Sequence, residues 1–223
     1  MKNECVVELI IQFLGRSFKF FRLSKKMELK MLVVNLFGRP GAGKSTMAAD
    51  IFAILKRKKI ETELCMEYAK SLVWGERLNT LRDSLYVLAK QNSILRYPQL
   101  HGVSVAVTDS PLPIISVYRP DPYFESFDAI VKEVFDSYDN LNFYIAADHP
   151  YSRVGRLQTE HESLHVGEKI LGLLDRWGVP FETFPANATS PEVIAKRIEE
   201  ELLKRGGSAQ APLSDGRPET DHQ

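Results

Sequence analysis

Cysteine is nearly absent. Cys5 and Cys65 are the only two in 223 residues, they lie far apart, and they form no CxxC pair. That excludes a disulfide-built fold and a cysteine-caged metal site, and it leaves two reduced thiols as the expectation. Net charge is absent as well: 29 Lys and Arg stand against 29 Asp and Glu. No global positive field draws the chain onto nucleic acid, although a local basic face could still do so. Long apolar runs are missing too. Leu9–Leu14 is cut short by Gly15, Arg16 and Lys19, well below the roughly 20 residues of a membrane-spanning helix. Glu4 and Glu8 stand where a secretory signal carries positive charge. No membrane partner and a cytoplasmic location are therefore expected.

What is present is ordinary for a globular domain: 44% hydrophobic and 26% charged residues, in a length suited to one α/β unit with a sizeable core. Residues 1–30 are expected to be a basic N-terminal extension, carrying Lys2, Arg16, Lys19, Arg22, Lys25, Lys26 and Lys30. Met27 and Met31 are alternative starts just ahead of the first core strand. The domain proper is expected over 31–205. The tail over 206–223, rich in Gly, Ser, Pro and Asp, has almost nothing to bury and is expected to be disordered.

From Met31 onward, strand and helix patterns alternate. Strands are expected at Met31–Phe37, Thr62–Met66, Val103–Thr108, Leu141–Ala146 and Pro180–Phe184. Helices are expected at Ser45–Lys58, across Arg77–Arg96, at Tyr123–Tyr138 and at Thr159–Trp177. A last helix opens with Ser190 as N-cap and Pro191 at the first position, and runs to about Lys204. Such alternation predicts an α/β three-layer sandwich, a mostly parallel sheet of about five strands with helices on both faces.

Gly38-Arg39-Pro40-Gly41-Ala42-Gly43-Lys44-Ser45-Thr46 matches the phosphate-loop pattern GxxxxGK[ST], between a buried strand and an amphipathic helix as the motif requires. Its chemistry explains its residue types. Gly38, Gly41 and Gly43 let the backbone turn successive N–H groups toward phosphate oxygens, and the helix N-terminus adds its positive dipole. Lys44 reaches the β- and γ-phosphates of ATP or GTP, and Ser45 takes a place on Mg2+. The metal also asks for a carboxylate at the end of a neighbouring strand, and Asp109 follows the apolar run Val103–Thr108.

A kinase further needs a base for its acceptor hydroxyl and a basic segment over the transferring phosphate. Glu67 leaves strand two on the same sheet edge. Asp148–Gln158 carries Arg153 and Arg156 in a loop-like stretch. Tyr68 and Trp74 have rings able to stack on an acceptor base, Arg77 and Arg82 could line its pocket, and His149 could touch phosphate.

The phosphate loop, Glu67-Tyr68-Ala69-Lys70, Thr108-Asp109-Ser110-Pro111 and the Tyr151–Gln158 loop together resemble the small P-loop kinases. The resemblance is to the ribosylnicotinamide kinase and deoxynucleoside kinase group and to phage-encoded ATP-binding proteins of that plan, over Met31–Leu203. It implies the P-loop kinase sandwich, transfer from ATP with Mg2+, and a nucleoside, nucleotide or nucleotide-like acceptor. It also implies Glu67 as base, Arg153 and Arg156 as charge clamps, and Mg2+ on Ser45 and Asp109. Many deoxynucleoside kinases carry Glu-Arg-Ser after strand three, where this chain has Asp109-Ser110-Pro111. Phage kinases of 5-hydroxymethyluracil in DNA belong to the same superfamily, so modified DNA is an alternative acceptor. An NTPase without an acceptor is the other alternative.

One rival pattern needs an answer. His161-Glu162-Ser163-Leu164-His165 fits HExxH, in which two histidines on one helix face bind zinc and the glutamate acts as base. No third ligand follows Gly167 at the spacing of the extended motif, so an exposed polar helix face is the expectation.

Overall fold

A computed structural model of the chain describes residues 31–151 and 158–206. The described unit begins at Met31. The expected N-terminal extension and the tail over 207–223 lie outside the described residues, as do Arg153 and Arg156.

Five strands form one sheet in the order β2-β3-β1-β4-β5, and every pairing is parallel. They are β1 (Leu32–Phe37), β2 (Thr62–Cys65), β3 (Val105–Thr108), β4 (Asp139–Ala146) and β5 (Glu182–Pro185). Among the described residues eight helices connect and flank them: α1 (Lys44–Arg57), α2 (Tyr68–Trp74), α3 (Leu78–Leu81), α4 (Ser84–Leu100), α5 (Ile114–Tyr118), α6 (Phe127–Asp136), α7 (Glu160–Arg176) and α8 (Ser190–Lys204). Parallel strands need crossovers, and a sheet covered on both faces requires strands that are apolar on both faces. Strand β1 meets that requirement with all six residues buried. Leu32, Val34 and Leu36 pack with Met47, Ile51 and Leu55 of α1 and Ile194 and Ile198 of α8. Met31, Val33 and Phe37 face the other layer, with Leu88 and Leu95 of α4, Phe127 and Val131 of α6, and Ile170 and Leu174 of α7. The expected three-layer α/β sandwich is the fold, with β1 at its centre and the phosphate loop leaving its C-terminal end.

Several boundaries differ from the sequence pattern, each for a local reason. The stripe across Arg77–Arg96 is two helices, because the Asp83 side chain accepts the Tyr86 backbone N–H at 3.1 Å and starts a new helix there. The helix expected from Tyr123 begins at Phe127, and the Tyr123 hydroxyl instead accepts the Leu85 backbone N–H. Ser190 does not cap α8. Asn187 does that work, its Oδ1 accepting the backbone N–H groups of both Thr189 and Ser190, while Pro191 sits in the first turn as expected. Helices α2 and α5 are too short to produce a readable period.

One buried polar ladder crosses the sheet. Asn35, 1% exposed, donates through Nδ2 to Asn140 Oδ1 at 2.9 Å, Asn142 Oδ1 at 3.0 Å and the Val33 carbonyl at 3.2 Å. Asn142 in turn donates to the Pro180 carbonyl. A one-residue slip of β4 against β1 would break this set and turn the apolar residues of β4 to the wrong layer. Asn35→Ala leaves two amide oxygens without their donor, which costs about 2 kcal/mol. The expected result is a melting temperature lower by roughly 4–8 °C, measured by calorimetry.

Candidate active site

The phosphate loop begins with a close approach. A Cβ on Gly38 (φ 145°) would lie 2.6 Å from the Ile145 carbonyl oxygen, so only glycine lets the loop leave β1 beside β4. Gly43 caps α1 in the left-handed region, with φ 88°. A Cβ there would come within 3.2 Å of Ala186 Cβ and 3.4 Å of His149 Nε2. Between them, the Ala42 backbone N–H donates to the Arg39 carbonyl at 3.1 Å, and Gly41 has φ 79°. Pro and a left-handed Gly between that donor and acceptor are the signature of a type II turn. Ala42 is fully buried and Thr46 is exposed.

Lys44 arches back over the loop, its Nζ donating to the Gly38 carbonyl at 2.9 Å and the Arg39 carbonyl at 3.1 Å. The Ser45 hydroxyl donates to Asp109 Oδ2 at 2.5 Å. Asp109, at the end of β3 and 3% exposed, accepts through its other oxygen the backbone N–H of Glu67 at 3.1 Å. One carboxylate thus joins the start of α1 to the end of β2. Ser45 and Asp109 carry hard oxygen donors of the kind Mg2+ takes, and few protein ligands suffice when phosphates supply the rest.

Glu67 sits at the N-cap position of α2 with an extended backbone. The residues on either side of it are held by α4: Gln91 Oε1 accepts the Tyr68 N–H at 2.9 Å, and Nε2 donates to the Met66 carbonyl at 3.3 Å. Gln91 is 1% exposed. Burial raises the Glu67 pKa above the ordinary carboxylate range and the charge of Asp109 raises it further, while Lys44 and Lys70 pull it back. Tyr118, at the end of α5 and 45% exposed, has its phenol pushed upward by surrounding protein and by the charges of Glu67 and Tyr151. Burial pushes the Cys65 thiol up to about 12, which keeps it protonated and unreactive.

The HESLH segment opens α7. Glu162 forms a capping box with Thr159: the Thr159 N–H donates to Glu162 Oε2 at 2.7 Å, and the Glu162 N–H donates to Thr159 Oγ1 at 3.3 Å. His161 and His165 are exposed, and His165 Nδ1 lies 3.4 Å from Glu168. Among the described residues no group of three or more His, Cys, Asp and Glu could hold a metal ion. The middle residue turns the other way. Ser163 is fully buried, donates to the Pro40 carbonyl at 2.7 Å and accepts from Arg39 Nη1 at 3.2 Å. The Arg39 guanidinium also lies 5.8 Å from the Tyr151 ring centroid.

Lys44, Ser45, Asp109 and Glu67 therefore meet on one sheet edge. Gln91 and Ser163 escaped the sequence pattern, yet each left a mark there. Gln91 falls on the apolar stripe of Leu88 and Leu95, and Ser163 and Gly167 are small residues four apart on one helix face. Both marks read equally well as ordinary packing.

The raised Glu67 pKa carries a sign for stability. Its ordinary value is 4.5, so above that pH the folded chain holds a proton that the unfolded chain releases. The associated stability is complete below pH 4.5 and is lost as pH rises through the raised value. In metal-free buffer Glu67→Gln should be more stable than wild type at pH 7, with the difference vanishing near pH 4. Urea unfolding at the two pH values checks this.

No family model and no curated protein matches the chain. Among solved structures, thymidylate kinase from Ehrlichia chaffeensis is similar at 12% identity, covering 78% of this chain and 99% of that one, with a TM-score of 0.49. Among the described residues no helix is long and apolar enough to cross a membrane.

Proposed function

We propose that the chain is a phosphotransferase, moving the γ-phosphoryl group of ATP or GTP to a hydroxyl of a nucleoside, nucleotide or nucleotide-like acceptor. The observation that carries this reading is the bridge through Asp109, which puts the Ser45 hydroxyl and the Glu67 backbone on the two oxygens of one carboxylate. A nucleotide loop alone supports hydrolysis. A second carboxylate with a raised pKa beside it supports removal of a proton from an acceptor.

In this reading the loop from Gly38 to Thr46 cradles the phosphates, and Lys44 moves from its own loop carbonyls to the β- and γ-oxygens. Ser45 and Asp109 hold Mg2+, which when bound neutralises charge on the phosphates and relieves repulsion between Asp109 and Glu67. The acceptor oxygen bonds to the γ-phosphorus as the bond from that phosphorus to the β–γ bridging oxygen breaks. Glu67 takes the hydroxyl proton, and the nucleoside diphosphate leaves with the bridging electrons. Arg153 and Arg156 act as charge clamps on the transferring group, a role proposed on their sequence position alone.

The test follows γ-labelled ATP and GTP with a panel of nucleosides, nucleotides, nicotinamide riboside and DNA carrying 5-hydroxymethyluracil. Label is expected on one acceptor class. Lys44→Ala should lower transfer by at least 100-fold, and Glu67→Gln should lower it comparably while retaining ATP affinity within about threefold. Label found only as inorganic phosphate, at a rate indifferent to the panel, would establish an NTPase instead.

A further inference from the structure

The carbonyls of three successive loop residues are all engaged. Lys44 holds those of Gly38 and Arg39, and Ser163 of α7 holds that of Pro40. The third differs in kind from the first two. Lys44 must release its carbonyls to reach phosphate, whereas Ser163 belongs to another helix and has no need to move when a nucleotide enters.

The carbonyl it grips is the central one of the Arg39–Ala42 turn. Types I and II of such a turn differ mainly by a flip of the peptide between the two central residues, here Pro40 and Gly41. A trans peptide is planar, so its C=O and N–H point in opposite directions. Fixing the Pro40 oxygen on the α7 side therefore fixes the Gly41 N–H on the side away from α7. Pro40 contributes a locked φ but no donor, which makes the Gly41 amide the first donor of this turn available to an anion.

Close approach of α7 is built in. A Cβ on Gly167 would lie 3.2 Å from Arg39 Cβ and 3.3 Å from the Tyr144 hydroxyl. One turn earlier, Ser163 also accepts the Arg39 guanidinium. The pattern that mimics a zinc site thus turns a small-residue face, Ser163 and Gly167, to the phosphate loop and leaves His161 and His165 exposed.

We infer that Ser163 is a positioning residue for nucleotide binding: its hydrogen bond to the Pro40 carbonyl sets the Pro40–Gly41 peptide so that the Gly41 amide meets phosphate. The inference rests on the loop's role as nucleotide site in the reading above. Its test needs no acceptor. ATP and ADP dissociation constants are measured directly by calorimetric titration for wild type, Ser163→Ala, Lys44→Ala and the double variant His161→Ala/His165→Ala. The Gly41 amide cross-peak is followed in 15N-labelled, nucleotide-free protein.

Ser163→Ala is expected to weaken ATP and ADP about tenfold and to shift or broaden the Gly41 peak, with the nucleotide-free protein still folded and its melting temperature lower by roughly 2–6 °C. The histidine variant is expected to bind as wild type does. Wild-type affinity in Ser163→Ala, within twofold, overturns the inference. So does weakened binding with an unmoved Gly41 peak. Should Lys44→Ala bind ATP like wild type, the nucleotide-site reading itself falls. Loss in Lys44→Ala with none in Ser163→Ala sinks only the positioning role.

Discussion

The carboxylate of Asp109 is the point on which the arrangement of the site depends. It is nearly inaccessible, and each of its oxygens has a fixed donor: the Ser45 hydroxyl on one side and the Glu67 amide on the other. A buried anion without such partners is costly, so the two donors are as much a condition of its burial as a consequence. Because β3 lies between β1 and β2 in the sheet, only a residue leaving the end of β3 can reach both the helix that follows β1 and the turn that follows β2. Topology makes the bridge available, and the acid at that position completes it.

The bridge has an electrostatic price. It holds Glu67 close to a second carboxylate in a place from which water is largely removed, and both effects disfavour the charged form of Glu67. Lys44 and Lys70 offset part of this. Gln91 opposes relaxation, because its amide grips the backbone on both sides of Glu67 and keeps that segment from drifting toward solvent. A carboxylate whose charged form is disfavoured, in a backbone segment held in place by a buried neutral side chain, departs from the rule that local structure settles into its most stable form. Such departures gather where chemistry is done.

How much of this the sequence disclosed follows from the range of each interaction. The phosphate loop, the central strand and the acids at the ends of β2 and β3 were legible because their signals are local: a motif, an apolar run and a residue that follows it. The sandwich followed from alternation and parallel connection. The capping residues were only partly legible, since Asp83 and Asn187 act through one hydrogen bond or a few and change no period. Gln91 and Ser163 were not legible as site residues. Their partners lie 25 and 123 positions away, and nothing in a single sequence pairs Gln91 with Met66 or Ser163 with Pro40. The HExxH pattern is ambiguous for a related reason. It sets two histidines on one helix face, and only the packing of α7 shows that Ser163 turns inward while His161 and His165 stay exposed, as expected.

The two kinds of constraint on the phosphate loop also divide its labour. The wedge of Gly38 beneath Ile145, the turn at Pro40–Gly41 and the left-handed Gly43 are set by backbone geometry and by neighbours that a nucleotide would not displace. Lys44 is different, since its present acceptors are carbonyls of the loop itself. Exchanging those acceptors for phosphate oxygens leaves its donors satisfied throughout, while Gly38 and Arg39 recover water or, for Arg39, keep the Ala42 amide. The loop could therefore hold its shape, with Arg39 anchored on Ser163, while Lys44 changes partners. That combination, a rigid cradle with a mobile charge, is what binding a polyanion in preformed geometry demands.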